Sequence, residues 1–97
     1  MQNDQVLVGI AWYQRDQWER LKQIADDSAN MDDSYDEWKK NANAGIQQIR
    51  LTDKTALRVN VDIDELLKWC AEHHKPMNSA ARAEFVSEKL RARFDKA

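Results

Sequence analysis

The feature that most constrains the fold is an unbroken apolar run at residues 6–13, which reads VLVGIAWY. The run is rich in β-branched and aromatic residues and carries no charged side chain. This pattern is typical of a β-strand that is covered on both faces. A strand of this kind should also have both of its edges paired, because an open apolar edge invites aggregation.

Two helices are expected after this first strand. Apolar residues recur at helical spacing from Arg15, so the first helix should run from there to near Asp27. Ser34 and Glu37 have the spacing of a capping box, in which each residue satisfies a backbone amide of the other, and they predict the start of the second helix. The apolar stripe predicted for that helix consists of Trp38, Ala42, Gly45, Ile46 and Ile49.

A second strand and two further helices complete the chain. Residues 57–63 alternate between apolar and polar, which is typical of a strand with one exposed face. Asp62 and Glu65 form another cap pattern, which opens a third helix, and Pro76 ends it. A cap at residues 78–79 begins the fourth helix. Its predicted buried stripe consists of Ala83, Val86, Leu90 and Phe94.

The resulting order, β-α-α-β-α-α, predicts the α+β class. We expect a single domain over residues 1–97, with a polar lead-in at residues 1–5 and a folded core at residues 6–94. Two antiparallel helices joined by a short loop would return the chain so that the two strands run antiparallel. Four helices should then pack on this small sheet.

Composition and missing motifs exclude several function classes. The net charge of −2 provides no overall basic surface for nucleic acid, and no apolar run approaches the roughly 20 residues of a membrane span. The sequence contains no P-loop, dinucleotide-binding glycine fingerprint, nucleophile elbow or HExxH motif. We therefore expect no enzymatic activity, no catalytic residue, no cofactor and no membrane binding. Since the single Cys70 cannot form an internal disulfide, the expected compartment is the cytoplasm.

Four stretches of the chain carry a resemblance to other proteins. They are GIAWY at residues 9–13, Tyr35 with Trp38, VDIDELLKWC at residues 61–70 and SAARAEF at residues 79–85. In these stretches the chain resembles a family of small bacterial proteins of unassigned function, and the similarity covers most of residues 8–90. The resemblance implies a bacterial origin and a standalone small domain, and it transfers no activity and no functional residue. Residues 51–56 lack the glycine that family members usually have before the second strand, so we expect a different turn there.

Residues 26–37 come closest to a functional motif. Read as a twelve-residue calcium loop, they place Asp26 at position 1 and Glu37 at position 12. Met31 stands at position 6, where the loop needs glycine, and Asp33 at position 8, where an apolar residue normally packs. We therefore expect a solvated acidic loop without a calcium site. As an alternative function, an inhibitor or immunity-type protein could mask a basic partner with Asp26, Asp27, Asp32, Asp33 and Tyr35.

Cys70, His73 and His74 lie within one helical turn of each other. A metal site would need one or two further ligands, and the sequence has no second cysteine and no third histidine to complete a Cys/His set. A nucleophilic pair would need an orienting group and an oxyanion turn, and neither is evident. We expect a buried, slowly reacting thiol and two histidines at a helix C-terminus.

The aromatic residues could stack on bases or sugars, but their positions favour packing in the core. The four tryptophans, which are expected to pack inside, are Trp12, Trp18, Trp38 and Trp69. Tyr13 and Tyr35 stand at the edges of predicted elements and should be the more exposed aromatics. Residues 79–97 carry a small excess of basic side chains, so weak nucleic-acid binding through the fourth helix is a further alternative.

The contrast between the two predicted strands leads to the main functional prediction. Residues 6–13 are apolar almost throughout, whereas residues 57–63 alternate as an edge strand does. Because the chain gives the first strand one neighbour, we expect a homodimer that joins the two first strands across a two-fold axis through Val6, Val8 and Ile10. In the competing arrangement, the N-terminal segment or the fourth helix covers this edge. The leading interpretation is a small protein-interaction or regulatory module, with an unknown protein partner.

Overall fold

The computed structural model describes residues 6–95, with side chains for residues 6–94. Within them the chain forms β1 (Val6–Trp12), α1 (Arg15–Ile24), a 3-10 turn (Ser28–Asn30), α2 (Tyr35–Arg50), β2 (Lys54–Asn60), α3 (Ile63–Glu72) and α4 (Ser79–Asp95). The α+β class, the four helices and the two-stranded sheet agree with the prediction. The polar lead-in predicted for residues 1–5 lies outside the described residues.

The two strands are parallel, so the predicted antiparallel pairing is wrong. They run side by side in register from Val6 opposite Lys54 to Trp12 opposite Asn60. The prediction assumed that α1 and α2 each cross the sheet. Only α2 does so: it begins near the end of β1, where the Tyr35 hydroxyl donates to the Tyr13 carbonyl at 3.0 Å, and it ends shortly before β2 begins.

The helix α1 and the 3-10 turn form an excursion beyond the end of β1. Arg15, the first residue of α1, pairs with Asp36, the second residue of α2, at 3.0 Å. The chain therefore leaves the end of β1 and returns to the same place before α2 starts. The segment from β1 through α2 to β2 is then a crossover between parallel strands, with α2 running opposite to both.

Helices cover the two faces of the sheet. A Cβ atom added to Gly9 would lie 2.9 Å from Cγ1 of Val86, so α4 packs directly over this part of β1. On the other face, the rings of Trp12 and Trp38 lie 5.1 Å apart, and the guanidinium of Arg58 lies 4.4 Å from the Trp12 ring. Because side chains alternate along a strand, odd-numbered residues of both strands face α4 and even-numbered residues face α2.

The main core lies on the α4 face of the sheet. Val59, Leu21, Ile63 and Leu66 are almost completely buried there, and Ile46 is the buried residue of α2. Core positions are supplied by α1, α3, α4 and the end of β2. The sheet itself is therefore buried more deeply at the end of its strands than at their beginning.

Some predictions about burial are confirmed, and those for Ala83, Phe94 and Tyr13 are wrong. Val86 and Leu90 of α4 are buried as expected, whereas Ala83 is exposed and Phe94 is 57% exposed. Phe94 lies beside Leu7, at the uncovered beginning of the sheet, which explains its exposure. Tyr13, predicted to be exposed, is 4% exposed, because its ring packs 5.3 Å from that of Trp38 in α2 and borders the same cavity as Arg82 of α4.

Three predicted helix caps are confirmed. The side chains of Ser34, Asp62 and Asn78 accept hydrogen bonds from the backbone N–H three residues later, at 3.1, 3.0 and 3.0 Å. The Asp62 cap starts α3 directly after the sheet, so β2 spans Lys54–Asn60 rather than the predicted residues 57–63. Such caps are local features that a short stretch of sequence specifies.

Candidate functional site

The candidate site is the edge of β1 that faces away from β2. Among residues 6–95, β2 is the only strand that pairs with β1, and we call the other edge of β1 the open edge. The N–H of Val61 donates to the Trp12 carbonyl at 3.0 Å on the paired side. Because backbone groups alternate in direction along a strand, the N–H and C=O groups of Leu7, Gly9 and Ala11 face the open edge. These groups are the donors and acceptors that an added strand would use.

An apolar groove of about 500 Å³ lies along the first half of the open edge. Leu7 is 40% exposed there, and Phe94 borders the groove from α4. Among the described residues its lining includes one charged side chain, that of Arg91. The lining of the groove also includes Val8, Gly9, Ala83 and Ser87. The groove therefore offers an uncharged strand edge beside small and apolar helix residues.

A second cavity, of about 380 Å³, lies further along the same edge. Residues 9–11 form its floor, and Trp38 and Arg82 contribute from α2 and α4. Residues 30–32, from the end of the 3-10 turn, also line it, so this half of the edge is partly covered. Trp18 lines it too, and its indole N–H is buried without a hydrogen-bond partner among the described residues.

Three polar side chains determine the charge of this second cavity. Burial raises the pKa of Tyr13 to about 12, so its phenol is neutral at physiological pH. The guanidinium of Arg82 is matched by the carboxylate of Asp27, at 3.0 and 2.9 Å. The cavity therefore has aromatic walls and one carboxylate, that of Asp32, whose hydrogen-bond partner is the neutral amide of Asn41.

The residues predicted for the dimer interface lie on β1, but their backbone groups do not face the open edge. Val6 is 52% exposed, and Val8 and Ile10 are half-buried. Their backbone groups face β2, and their side chains face the α2 side of the sheet. The sequence-based prediction did not identify Leu7, Gly9 and Ala11 as the residues whose backbone groups face the open edge. The pairing of β1 with β2 determines which residues these are, and no local sequence pattern indicates that pairing.

The residues predicted to form one acidic surface have different surroundings in the structure. Asp27 points inward, where its carboxylate binds the Arg82 guanidinium in bidentate fashion and accepts from the Ser79 N–H at 3.1 Å. These hydrogen bonds, the Arg82 bond foremost, lower the pKa of Asp27 below its ordinary value. The pair joins the loop after α1 to the first turn of α4.

The other four residues of that surface differ in exposure. Asp32 is half-buried and accepts from the Asn41 amide at 3.0 Å, and Tyr35 is half-buried with the Arg15 guanidinium 4.8 Å from its ring. Asp26 and Asp33 are exposed. The acidic surface that faces solvent is therefore smaller than the sequence indicated.

Cys70 is buried and the two histidines lie at the end of α3, as the sequence predicted. Burial raises the pKa of the Cys70 thiol, while its slow reaction stays a prediction. The His73 ring stacks on Trp69 at 4.3 Å, and His74 has a φ of 55°, in the left-handed region that often ends a helix. No group of three or more His, Cys, Asp or Glu side chains within the described part of the chain could hold a metal ion.

The structure also shows the surroundings of the four tryptophans and of the basic side chains on α4. Trp18 and Trp69 are buried, and Trp12 and Trp38 are half-buried within an aromatic cluster that includes Tyr35. On α4, two of the basic side chains are paired with carboxylates: Arg82 with Asp27 and Lys89 with Glu65. Arg91 and Arg93 are exposed, and Lys96 lies outside the described residues.

Comparison with known proteins does not add a relative. No protein-family model, no curated protein and no solved structure matches the chain. The resemblance to a family of small bacterial proteins therefore stays a prediction. In the described chain, the helices are too short or too polar to cross a membrane. Function is accordingly inferred from the geometry of the open edge.

Proposed function

We propose that the protein is a small, non-enzymatic interaction module of the bacterial cytoplasm that assembles as a homodimer through the open edge of β1. The observation that carries the proposal is the open edge itself, which has outward backbone groups, no charged residue and an adjoining apolar groove. Two copies would form one four-stranded sheet in the order β2-β1-β1′-β2′. The interface would be self-complementary, as two-fold interfaces are.

The chemistry of β1 supports pairing over permanent exposure. Exposed edge strands usually carry lysine, proline or a bulge that prevents pairing with other chains, and β1 has neither a charged residue nor a proline. The helices on its two faces stabilise the two-stranded sheet, but they leave the uncharged first half of the open edge without a partner strand among the described residues. Pairing with a second copy would remove this exposure.

The overall dimensions also favour assembly. The radius of gyration is 14.3 Å, compared with about 12.5 Å expected for a compact domain of this length. The molecule measures 47 × 31 × 18 Å, so it exposes more surface than a compact domain would. Val6 and Phe94 are among the apolar side chains that this shape leaves in water. A second copy along the open edge would shield such side chains from water.

Light scattering on the full chain, at tens of micromolar protein, tests the proposal. We expect a mass twice that of the 11.4 kDa chain, and a mass of 11.4 kDa would refute the homodimer. Val8→Lys should give the monomer mass, because two lysines would meet in the centre of the paired strands. Leu51→Lys is the matched control, since Leu51 is 81% exposed, stands between α2 and β2 and lines neither cavity of the open edge, and it should remain dimeric.

A second variant distinguishes loss of the dimer interface from loss of folding. Leu7→Lys places the charge in the groove at a position that is already partly exposed, so the monomer should keep its far-ultraviolet circular dichroism spectrum. A dimer that persists in both Val8→Lys and Leu7→Lys would show that the interface lies elsewhere. That result would overturn the proposal even if the wild-type chain is dimeric.

A further inference from the structure

We propose that the two β1 strands pair in one particular register, with Val8 of one copy directly opposite Val8 of the other. This inference rests on the homodimer proposed above. It names the residues that touch across the two-fold axis, and it makes the first half of β1 together with the α4 groove the binding surface for the second copy.

The symmetry leaves only a few registers. A two-fold axis perpendicular to the sheet makes the two β1 strands antiparallel and passes beside one residue, which then faces its own copy. The candidates for that residue are Leu7, Val8 and Gly9, at the middle of the accessible stretch. Because the backbone groups of Leu7 and Gly9 face the open edge, those residues form hydrogen-bonded pairs and Val8 forms the closer, non-hydrogen-bonded pair.

The two cavities select among these registers. The open groove follows Leu7, Val8 and Gly9, whereas residues 30–32 partly cover the edge at residues 9–11. An axis at Gly9 would direct the second strand toward Ala11 and against that cover. An axis at Leu7 would leave Gly9 opposite residue 5 and use only part of the open groove. An axis at Val8 uses the whole open stretch, with Leu7 of each copy opposite Gly9 of the other.

The side chains on the α4 face fit this arrangement. Leu7 is large and Gly9 has no side chain, so each Leu7 would lie beside a position that is free of a competing side chain across the strand pair. Val86 and Leu90 of the same chain fill the space directly over Gly9, so the partner's Leu7 would lie to the side of Gly9, in the groove that Ala83 and Ser87 border from α4. Because the axis is perpendicular to the sheet, the second α4 would lie on the same face, and the small side chains of Ala83 and Ser87 would border the groove on the side toward it.

The other face fits as well. With the axis at Val8, Val8 faces Val8, and Val6 of each copy faces Ile10 of the other. These are β-branched pairs across antiparallel strands, which stabilise a sheet more than alanine pairs do. Val6 is half-exposed in the single chain, so the pairing would cover an apolar side chain that the chain itself leaves in water.

Cysteine cross-linking of the full chain reads the register directly. In a Cys70→Ala background, Val8→Cys should convert most of the protein to a disulfide-linked dimer under oxidised glutathione, as seen by non-reducing electrophoresis. The expected Cα separation at a non-hydrogen-bonded pair is about 4.5 Å, which lies within the range that a disulfide accepts. Val6→Cys alone and Ile10→Cys alone are the matched controls and should stay uncross-linked, whereas the double variant should cross-link.

Other cross-linking patterns would overturn this register. Cross-linking of the Val6→Cys/Val8→Cys variant with none for Val8→Cys alone would place the axis at Leu7. Cross-linking of Val8→Cys/Ile10→Cys with none for Val8→Cys alone would place it at Gly9. In both cases the dimeric mass would remain, so the homodimer would stand while the register fails. A monomeric mass by light scattering would instead refute the homodimer, and the register with it.

Discussion

The two ends of β1 have the same kind of sequence but very different surroundings. At its beginning, Val6 is 52% and Leu7 40% exposed, and Leu7 borders a groove whose described lining residues belong to β1 and α4. At its end, Trp12 packs on Trp38, and Tyr13 is enclosed near the start of α4. The difference shows that burial here depends on which helices reach a residue rather than on how apolar the residue is. The excursion formed by α1 and the 3-10 turn covers only the second end.

The largest expected effect is a difference in the free energy of unfolding between variants at the two ends of β1. Tyr13→Ala removes a buried aromatic side chain and should lower the free energy of unfolding by about 3–5 kcal/mol, the range for such core truncations. Leu7→Ala at the exposed end should lower it by no more than about 1 kcal/mol in the monomer, because less apolar surface is lost. Urea denaturation at a protein concentration low enough to keep the chain monomeric measures both values. Similar losses for the two variants would contradict the comparison.

The next effect concerns the ion pair that holds α4 at the covered end. Asp27→Asn leaves Arg82 without its carboxylate partner in a mostly buried setting, and it should lower the free energy of unfolding at pH 7 by about 2–3 kcal/mol. Asp26→Asn is the matched control and should have little effect, because the Asp26 side chain is exposed. Equal losses for the two variants would show that the pair does not hold this end together.

The same pair predicts a pH dependence. The pKa of Asp27 is lowered in the folded state, so its stabilising contribution is present above the unfolded pKa of about 4 and is lost as the pH falls through the folded pKa. The difference in stability between the wild type and Asp27→Asn should therefore be constant from pH 7 to about pH 4 and shrink at lower pH. Denaturation curves at a series of pH values check this, and a difference that grows on acidification would contradict it.

The smallest effect probes the boundary between the two ends. Gly9→Ala would bring its Cβ to 2.9 Å from Val86 and 3.3 Å from Leu90, so the Val86 side chain or α4 must shift, and we expect a loss of about 1–2 kcal/mol in the free energy of unfolding. Gly45→Ala is the matched control in α2, where no atom lies within 4 Å of the new Cβ. It should stabilise the chain by about 0.5–1 kcal/mol through helix propensity. The same sign of change for both variants in thermal or urea unfolding would be evidence against close packing of α4 on Gly9.

The features that the sequence predicted correctly are mostly local. The caps at Ser34, Asp62 and Asn78 depend on a side chain and an amide three residues away, so a short pattern is sufficient to find them. The buried thiol of Cys70 was also predictable, because its neighbours along the same helix face are apolar.

The features that were missed depend on contacts between distant parts of the chain. The strand direction follows from the return of α2 to the end of β1, which the bond from Tyr35 to Tyr13 marks. Asp27 and Asp26 are the same residue type side by side, and only Arg82, far along the chain, distinguishes the inward one from the exposed one. The open edge illustrates both cases: its apolar character was visible in the sequence, but its outward backbone groups were fixed by the parallel register.

The parallel register also has a consequence for the chain during its synthesis. In a hairpin, the partner of a strand leaves the ribosome almost immediately after it. Here Val6 pairs with Lys54, so roughly 48 residues must be added after β1 emerges, and at about 5–20 residues per second this takes several seconds. During that interval the apolar strand has no partner on either edge. The newly made chain is therefore most exposed to misassembly before β2 appears, and any chaperone that protects it would act on residues 6–13 in this period.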